Sequence, residues 1–160
     1  MNGYLLTLIM VCNFILQATV LQHFRIDGVL PNTALIIVVI ISILYGRKKG
    51  IASGIIAGVL QDIFFSKGLG INILIYTFTA YSIGGFESRV FKDNYLTPLL
   101  LLSLSTFFYH SIYFVLMHFL RHSVTYLSVL KTVTVTETIY NSILGIIIYR
   151  VFYNRVYYSR

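Results

Sequence analysis

Apolar residues are grouped along the chain into six stretches that short polar segments separate. The stretches cover residues 4–22, 30–45, 50–65, 70–86, 98–120 and 135–152. Each is close to the roughly 20 residues that a helix needs to cross the hydrocarbon core of a bilayer. The second and third stretches are joined only by the sequence GRKK. The pattern predicts an all-α protein with six transmembrane helices, of which the second and third form a tight helical hairpin.

The segment before the sixth stretch, KTVTVTET at residues 131–138, alternates between polar and apolar positions with the period of a strand. An open strand in lipid would leave backbone hydrogen-bonding groups unsatisfied. We therefore interpret the segment as exposed chain that leads into a helix. Thr134 and Glu137 have the spacing of a capping box, which predicts that their side chains close the start of that helix.

The composition supports an integral membrane protein. Hydrophobic residues make up 58% of the chain and charged residues 11%, whereas soluble domains carry about 25% charged residues. No segment outside the apolar stretches is long enough to fold alone, so one domain is predicted over residues 1–160. The single cysteine, Cys12, lies within the first stretch, and we expect it to be buried and unreactive.

The formal net charge of +7 comes from basic residues in short loops and at the C-terminus, a distribution typical of topology signals and not of a nucleic-acid site. With a cytoplasmic N-terminus, the inner side carries Arg47, Lys48, Lys49, Arg89, Lys92, Arg150, Arg155 and Arg160. The outer side then carries Arg25, Lys67, Arg121 and Lys131. The excess of basic residues on the inner side predicts that both termini are cytoplasmic.

A small residue recurs at every fourth position from the GRKK connection through the third stretch, and the series ends in a carboxylate. The series is Gly46, Gly50, Gly54, Gly58 and Asp62. A four-residue step keeps side chains on one face of a helix, and glycines there let a second helix approach closely in lipid. We call this series the glycine stripe. It predicts a helix contact inside the membrane, either with another protein or within the six-helix bundle.

Two acidic residues near the outer face are candidates for a functional role. Asp62 is interpreted as an anchor for a helix contact, as a hydrated helix end paired with Lys67, or as a site of transport chemistry. Glu137 is expected to serve in the capping box. If Asp62 and Glu137 lined one cavity, a small cationic ligand would suit it.

The remaining polar residues within the stretches indicate packing more than chemistry. The histidines His118 and His122 are spaced i, i+4 but have no acidic partner, so we expect them at the membrane interface. The deeper His110 is expected to bond to a neighbouring helix. The same role is expected of four amides: Asn13, Gln17, Asn72 and Asn141. No catalytic motif is present in the sequence, and we predict no enzyme activity, no metal and no cofactor.

These landmarks resemble the MreD family of bacterial rod-shape-determining membrane proteins. The resemblance begins at Pro31-Asn32, continues through the basic hairpin GRKKG, and extends over GIIAGVLQDIFFSKGLGINILIYTFTAYSIGG. The family's glycine-plus-acid pattern matches Gly54, Gly58, Gln61 and Asp62, and its following loop matches the sequence GLGIN, which contains Gly70 and Asn72. Tyr76, Tyr81 and Gly84 match recurring positions of the next helix. Length and hydropathy match over the rest of the chain.

The resemblance implies a non-enzymatic scaffold in the inner-membrane machinery that elongates the lateral cell wall. Family members associate with the bitopic protein MreC and, through it, with MreB, and the wider complex includes RodA and a class B penicillin-binding protein. The implied fold is similar to the substrate-binding (S) component of energy-coupling-factor transporters. Contacts with a partner or a packed helix are expected at Gly46, Gly50, Gly54, Gly58, Gln61, Asp62, Gly70, Asn72 and Tyr76.

The alternative is that the chain is itself a vitamin-binding S component. Such proteins typically carry an AxxxA-type motif on the first helix, which docks the transport subunit, and the first stretch here has one alanine and no such spacing. A third class is a small proton-coupled carrier that uses Asp62. No second charge at mid-depth accompanies Asp62 in the sequence.

Overall fold

The computed structural model describes residues 2–26, 28–65, 70–89, 92–94, 96–119 and 134–157. Within these ranges the protein is all-helical. Its α-helices are α1 (Gly3–Ala18), α2 (Thr33–Phe64), α3 (Ile71–Gly85), α4 (Leu96–Phe119) and α5 (Val135–Tyr157). Short 3-10 helices follow α1 at Leu21–His23 and α3 at Glu87–Arg89.

Helix α2 is folded back on itself at Gly46. This residue has φ 79° and ψ −178°, a conformation that breaks the helix into a first segment (33–45) and a second segment (47–64). The Oε1 atom of Gln17 accepts hydrogen bonds from both Thr33 Oγ1 at 3.2 Å and Gln61 Nε2 at 3.0 Å. An unbroken helix of about 28 residues would hold Thr33 and Gln61 roughly 42 Å apart. The two segments therefore form the predicted hairpin, with its turn at the one glycine of GRKK.

The first segment of α2 is the centre of the bundle. Every residue from Thr33 to Leu44 is buried, and α2 contacts α1, α3, α4 and α5. A helix that is apolar around its whole circumference is stable only where neighbours cover all of its faces. The run ALIIVVIISIL meets this requirement because helices surround it.

The outer faces of the bundle are apolar. On α5 a ridge of β-branched residues at four-residue spacing is more than half exposed: Val135, Ile139, Ile143, Ile147 and Val151. Among the described residues, the stretches Gly3–His23 and Leu96–Leu116 are long and apolar enough to cross a membrane. Such a surface would promote aggregation in water, and it suits contact with lipid.

The cysteine does not follow the sequence-based expectation. Cys12 is exposed, on the side of α1 that also exposes Leu8 and Ile15. The expectation of a buried core residue is therefore wrong. The residues around Cys12 are apolar because this face of α1 is turned outward from the bundle. The hydrophobicity of a sequence does not distinguish a residue that faces lipid from one that is buried in the core.

One end of the bundle, which we call the basic end, gathers the cationic loops. Arg47 lies 4.4 Å from the centre of the Tyr81 ring, and Lys92 Nζ forms an ion pair with Glu87 at 2.6 Å. Tyr149 donates a hydrogen bond to the backbone oxygen of Lys92 at 2.8 Å. The start of α1 is at the same end, since Asn2 and Gly3 share a groove with Lys48 and Lys49.

Candidate functional site: a buried polar network

The opposite end of the bundle, which we call the polar end, holds a network of hydrogen bonds between helices. Its members are Gln17, Asn32, Thr33, Gln61, Asp62, Asn72, Tyr76, Thr106, Tyr109, His110, Glu137 and Asn141. They come from α1, the residue before α2, both segments of α2, and helices α3, α4 and α5. The network therefore connects the five described α-helices to one another.

Asp62 caps a helix to which it does not belong. Its Oδ1 atom accepts hydrogen bonds from the backbone nitrogen and the side-chain nitrogen of Asn72, at 3.0 and 2.9 Å. Its Oδ2 atom accepts from the backbone nitrogens of Gly70 and Ile73, both at 3.0 Å. The N-cap residue of α3 is Gly70, which has no side chain to offer. The carboxylate therefore satisfies otherwise unpaired donors and lies at the positive end of the α3 dipole.

The anchoring role of Asp62 does not involve a basic partner that the structure describes. Lys67, with which an ion pair was one expectation, lies outside the described residues. Asp62 is 2% exposed, so its charge is stabilised by backbone and amide donors. A buried carboxylate surrounded by such donors holds two helices together without needing a cation.

Asn72 connects the Asp62 cap to a ladder of tyrosine rings. Tyr109 donates its hydroxyl hydrogen to Asn72 Oδ1 at 2.7 Å. The Tyr109 ring stacks between those of Tyr76 and Tyr113, with centroid distances of 5.6 and 5.8 Å. Tyr76 in turn donates to Asn32 Oδ1 at 3.0 Å. The ladder carries the contact from α3 and α4 to the start of α2.

Asn141 joins α5 to α4 and to the start of α2 at a fully buried position. Its Oδ1 atom accepts from the backbone nitrogen of Asn32 at 2.8 Å, and its Nδ2 atom donates to Thr106 Oγ1 at 3.0 Å. Asn141 and Thr106 are both 0% exposed. Because no water reaches these groups, each depends on its protein partner for a hydrogen bond.

Glu137 pairs with a histidine and does not form the predicted capping box. Its Oε2 atom lies 2.9 Å from His110 Nε2, and its Oε1 atom accepts from Asn141 Nδ2 at 3.4 Å. Thr134 Oγ1 is buried without a hydrogen-bond partner among the described residues. The capping-box prediction is therefore wrong, because the carboxylate points toward α4. The expectation that His110 bonds to a neighbouring helix is confirmed.

The glycine stripe lies against other parts of the same chain. A Cβ atom on Gly54 would be 2.8 Å from the backbone oxygen of Tyr76, and one on Gly58 would be 2.6 Å from the backbone nitrogen of Ile73. Gly50 faces Ser42 across the hairpin, and Gly46 faces the Glu87 carboxylate. In this structure α3 and the first segment of α2 thus occupy the stripe.

A cavity of about 330 Å³ opens beside the network. We call it the tyrosine cavity. The described residues that line it are Gln17, Leu30, Pro31, Asn32, Gln61, Tyr76, Tyr109, His110, Tyr113 and Glu137. Asp62 is not among them, because its carboxylate is turned toward the start of α3. The two acidic residues are therefore connected through the network but do not face one space.

Of the other polar candidates, three amides belong to the network, whereas His118 and Asn13 lie outside it. His118 is exposed and stacks on Phe114 with a centroid distance of 6.0 Å, while His122 lies outside the described residues. Gln17, Asn72 and Asn141 bond across helices as expected, and Asn13 is buried on α1. In the described part of the chain, no group of three or more His, Cys, Asp or Glu residues is placed to hold a metal ion.

Two central members of the network, Asn32 and Tyr109, were not predicted as contacts. Asn32 stands at the start of an apolar stretch, where it acts as the N-cap of α2 by accepting from the Leu35 backbone nitrogen at 3.0 Å. Tyr109 lies in the middle of a long apolar stretch, where a hydroxyl needs a partner. That need was the signal available in the sequence, although it names no partner.

Comparison with known proteins identifies a family. Residues 1–157 match the family model described as MreD, rod shape-determining protein MreD. No curated protein and no solved structure matches the chain.

Proposed function

Because the chain belongs to the MreD family of rod shape-determining membrane proteins, we propose that it is a non-enzymatic scaffold of the cell-wall elongation complex. Family membership assigns it a role in determining rod shape, and the match over residues 1–157 is the observation that carries this conclusion. The buried polar network supports a scaffold, since it fixes helices relative to one another and uses its polar groups in structural bonds.

The proposed topology has six spans with both termini in the cytoplasm of a multi-pass inner-membrane protein, in a fold like that of the S components. Two observations support it. The hairpin divides α2 into two antiparallel segments. The described α-helices therefore comprise six helical segments, some of which are shorter than a full membrane span. The cationic loops at Arg47, Lys48, Lys49 and Lys92 gather at the end where α1 begins, as the positive-inside rule requires of a cytoplasmic face.

Topology can be measured with reporter fusions at several positions. An enzyme reporter that is active only outside the cytoplasm should be inactive after residue 157 and after residue 48, and active after residue 26. Activity at residue 48 would contradict the proposed orientation. The result does not depend on which partner the protein binds.

The proposed partner is MreC, whose single transmembrane helix would dock on the outer side of the second segment of α2 and α3. The glycine stripe draws these two helices together, and a groove of about 470 Å³ runs over their outward faces. The groove is lined by Ile51, Ile55, Ile73, Leu74, Thr77, Phe78 and Tyr81. An apolar helix fits this surface, since helices in lipid associate through close packing. Through MreC the scaffold would join MreB, RodA and a class B penicillin-binding protein.

Co-purification with MreC in mild detergent tests the docking surface. Leu74→Trp should reduce the amount of MreC recovered, because Leu74 is 52% exposed in the groove. Leu104→Trp is the matched control, because Leu104 is 66% exposed on α4 and lines no part of this groove. Equal recovery of MreC with both variants would place the interface elsewhere.

The glycine stripe itself is tested by Gly54→Leu and Gly58→Leu, which we expect to disrupt binding of MreC while the protein still inserts into the membrane. These variants increase the distance between the second segment of α2 and helix α3. A loss of bound MreC should therefore accompany a loss of thermal stability. Unchanged co-purification would limit the stripe to internal packing.

The alternative function, a vitamin-binding S component of a transporter, is not supported by the family match. Affinity purification followed by identification of the bound molecules separates the two functions. MreC is the expected product, whereas a tightly bound vitamin together with a transport subunit would overturn the scaffold proposal. A gene position beside those for MreB and MreC would support the same conclusion.

A further inference from the structure

The tyrosine cavity is an open space beside the polar network, and the scaffold proposal assigns it no occupant. It lies near the polar end of the bundle, since about 14 residues of helix, roughly 21 Å, separate Gln17 from the start of α1. In a hydrocarbon core about 30 Å thick, a helix that begins at one interface carries Gln17 into the half of the bilayer next to the opposite interface. Its described lining contains one carboxylate, Glu137, and neither lysine nor arginine. The charge of the lining therefore favours a cation over an anion.

Glu137 has capacity for a further partner. Its side chain is 8% exposed, and its described hydrogen-bond partners are His110 Nε2 and Asn141 Nδ2. A carboxylate offers about four lone-pair sites, so two partners leave acceptor capacity on a residue that lines the cavity. Its ion-pair partner among the described residues is the imidazole of His110, and a bound cation would add a second favourable partner for this buried carboxylate.

The tyrosine ladder supplies a second element that attracts cations. Tyr113 is the outermost of the stacked rings, half-buried beside the cavity. The face of an aromatic ring is electronegative and attracts a cation that is removed from bulk water. The side-chain oxygen of Gln61, which also lines the cavity, adds a group able to accept a hydrogen bond from an ammonium group.

We propose that the tyrosine cavity binds a primary ammonium group, with Glu137 as its counter-ion and the Tyr113 ring against its side. Two sources carry this chemistry: the ethanolamine headgroup of a phospholipid, which reaches this depth from the bilayer, and a free small amine. The cavity of about 330 Å³ is large enough for either.

Thermal unfolding of the full chain in delipidated detergent tests the proposal. Short-chain phosphatidylethanolamine should raise the Tm, and short-chain phosphatidylglycerol at the same concentration should not. Ethanolamine chloride is compared with sodium chloride at equal ionic strength. A rise with ethanolamine alone assigns binding to the free amine group, whereas a rise only with phosphatidylethanolamine assigns it to the lipid. No difference between the two lipids and none between the two salts overturns the proposal.

Variants identify the cavity as the site. Glu137→Gln should weaken the effect of the amine by about tenfold in concentration or more, and Glu87→Gln, the same change at the basic end, should leave it intact. If Glu137→Gln does not fold, Tyr113→Leu decides, because the Tyr113 hydroxyl has no hydrogen bond to a described residue and its loss spares the network. An amine effect that persists undiminished in the folded variant overturns the proposal.

Discussion

Asp62 and Asn72 are joined by two hydrogen bonds to one oxygen atom. The backbone nitrogen and the side-chain nitrogen of Asn72 both donate to Asp62 Oδ1, at 3.0 and 2.9 Å. The acidic end of the glycine stripe is thereby the cap of the next helix. Helix α3 packs closely against Gly54 and Gly58, and its start is capped by Asp62. These are two parts of one contact, because the same segment of α2 both packs against α3 and binds its first backbone donors.

Removing the Asp62 carboxylate should destabilise the protein strongly. Asp62→Ala leaves four donors at the start of α3 without their acceptor, and unsatisfied buried donors cost about 1–3 kcal/mol each. We expect a loss of about 3 kcal/mol or more in the free energy of unfolding, measured by denaturant titration in mixed micelles.

Asp62→Asn separates charge from hydrogen bonding. It keeps one acceptor oxygen, so we expect an intermediate loss of stability and retained assembly with MreC. Asn94→Ala is the control, since it removes a single exposed cap bond to the Leu96 backbone nitrogen, worth about 1 kcal/mol. Complete loss of assembly in Asp62→Asn would indicate that the negative charge itself is required.

The close approach of α3 predicts that Gly58→Ala is destabilising even though alanine favours helices. The added Cβ would meet the backbone of Ile73, and backbone atoms cannot move aside as a side chain does. Overpacking of this kind costs about 1–3 kcal/mol. Gly3→Ala is the matched control because nothing lies within 4 Å of its added atom. Equal Tm values for the two variants would contradict the described packing.

Loss of the Asn141 side chain should destabilise the polar end. Asn141→Ala leaves the buried Asn32 backbone nitrogen without its acceptor and removes one donor from Thr106 Oγ1, which keeps its bond to the Leu102 backbone oxygen. We expect a loss of about 2 kcal/mol in the free energy of unfolding. Ser142→Ala is the neighbouring control. The Ser142 hydroxyl forms a hydrogen bond with Ser103 Oγ at 3.2 Å in a partly buried site. A larger fall in Tm for Ser142→Ala than for Asn141→Ala would argue against the network.

The exposure of Cys12 predicts reaction with an apolar thiol reagent in the folded state. Because Cys12 is exposed on an outward face of α1 among apolar residues, N-ethylmaleimide should add once to the native protein in detergent, as seen by intact mass. A permanently charged reagent should react much more slowly in membranes, since lipid covers this face. Modification only after denaturation would show that α1 packs differently.

The amino-acid sequence was sufficient for the helical segments and the hairpin. Runs of apolar residues define helices through their length, and Gly46 permits the positive φ of the turn at little cost. The bounds differ by a few residues at several ends: α1 ends at Ala18 and not at residue 22, and α5 continues to Tyr157 beyond the predicted residue 152. The residues after the predicted end, YNRVY, remain helical because Tyr153 and Val156 still pack on the bundle.

By itself the sequence determined an all-helical, strongly apolar chain with a glycine stripe that ends in a carboxylate, because hydrophobic length and residue spacing are local properties. Only the tertiary structure decided which helix covers the stripe, that Glu137 faces His110 and not its own helix start, and that Cys12 is turned outward. Those outcomes depend on the angle by which each helix is rotated about its own axis. An apolar residue is favourable against either lipid or protein, so hydrophobicity leaves that angle open. The buried hydrogen bonds of Asp62, Asn32 and Asn141 fix it, since each donor and acceptor there is satisfied in one arrangement of the helices.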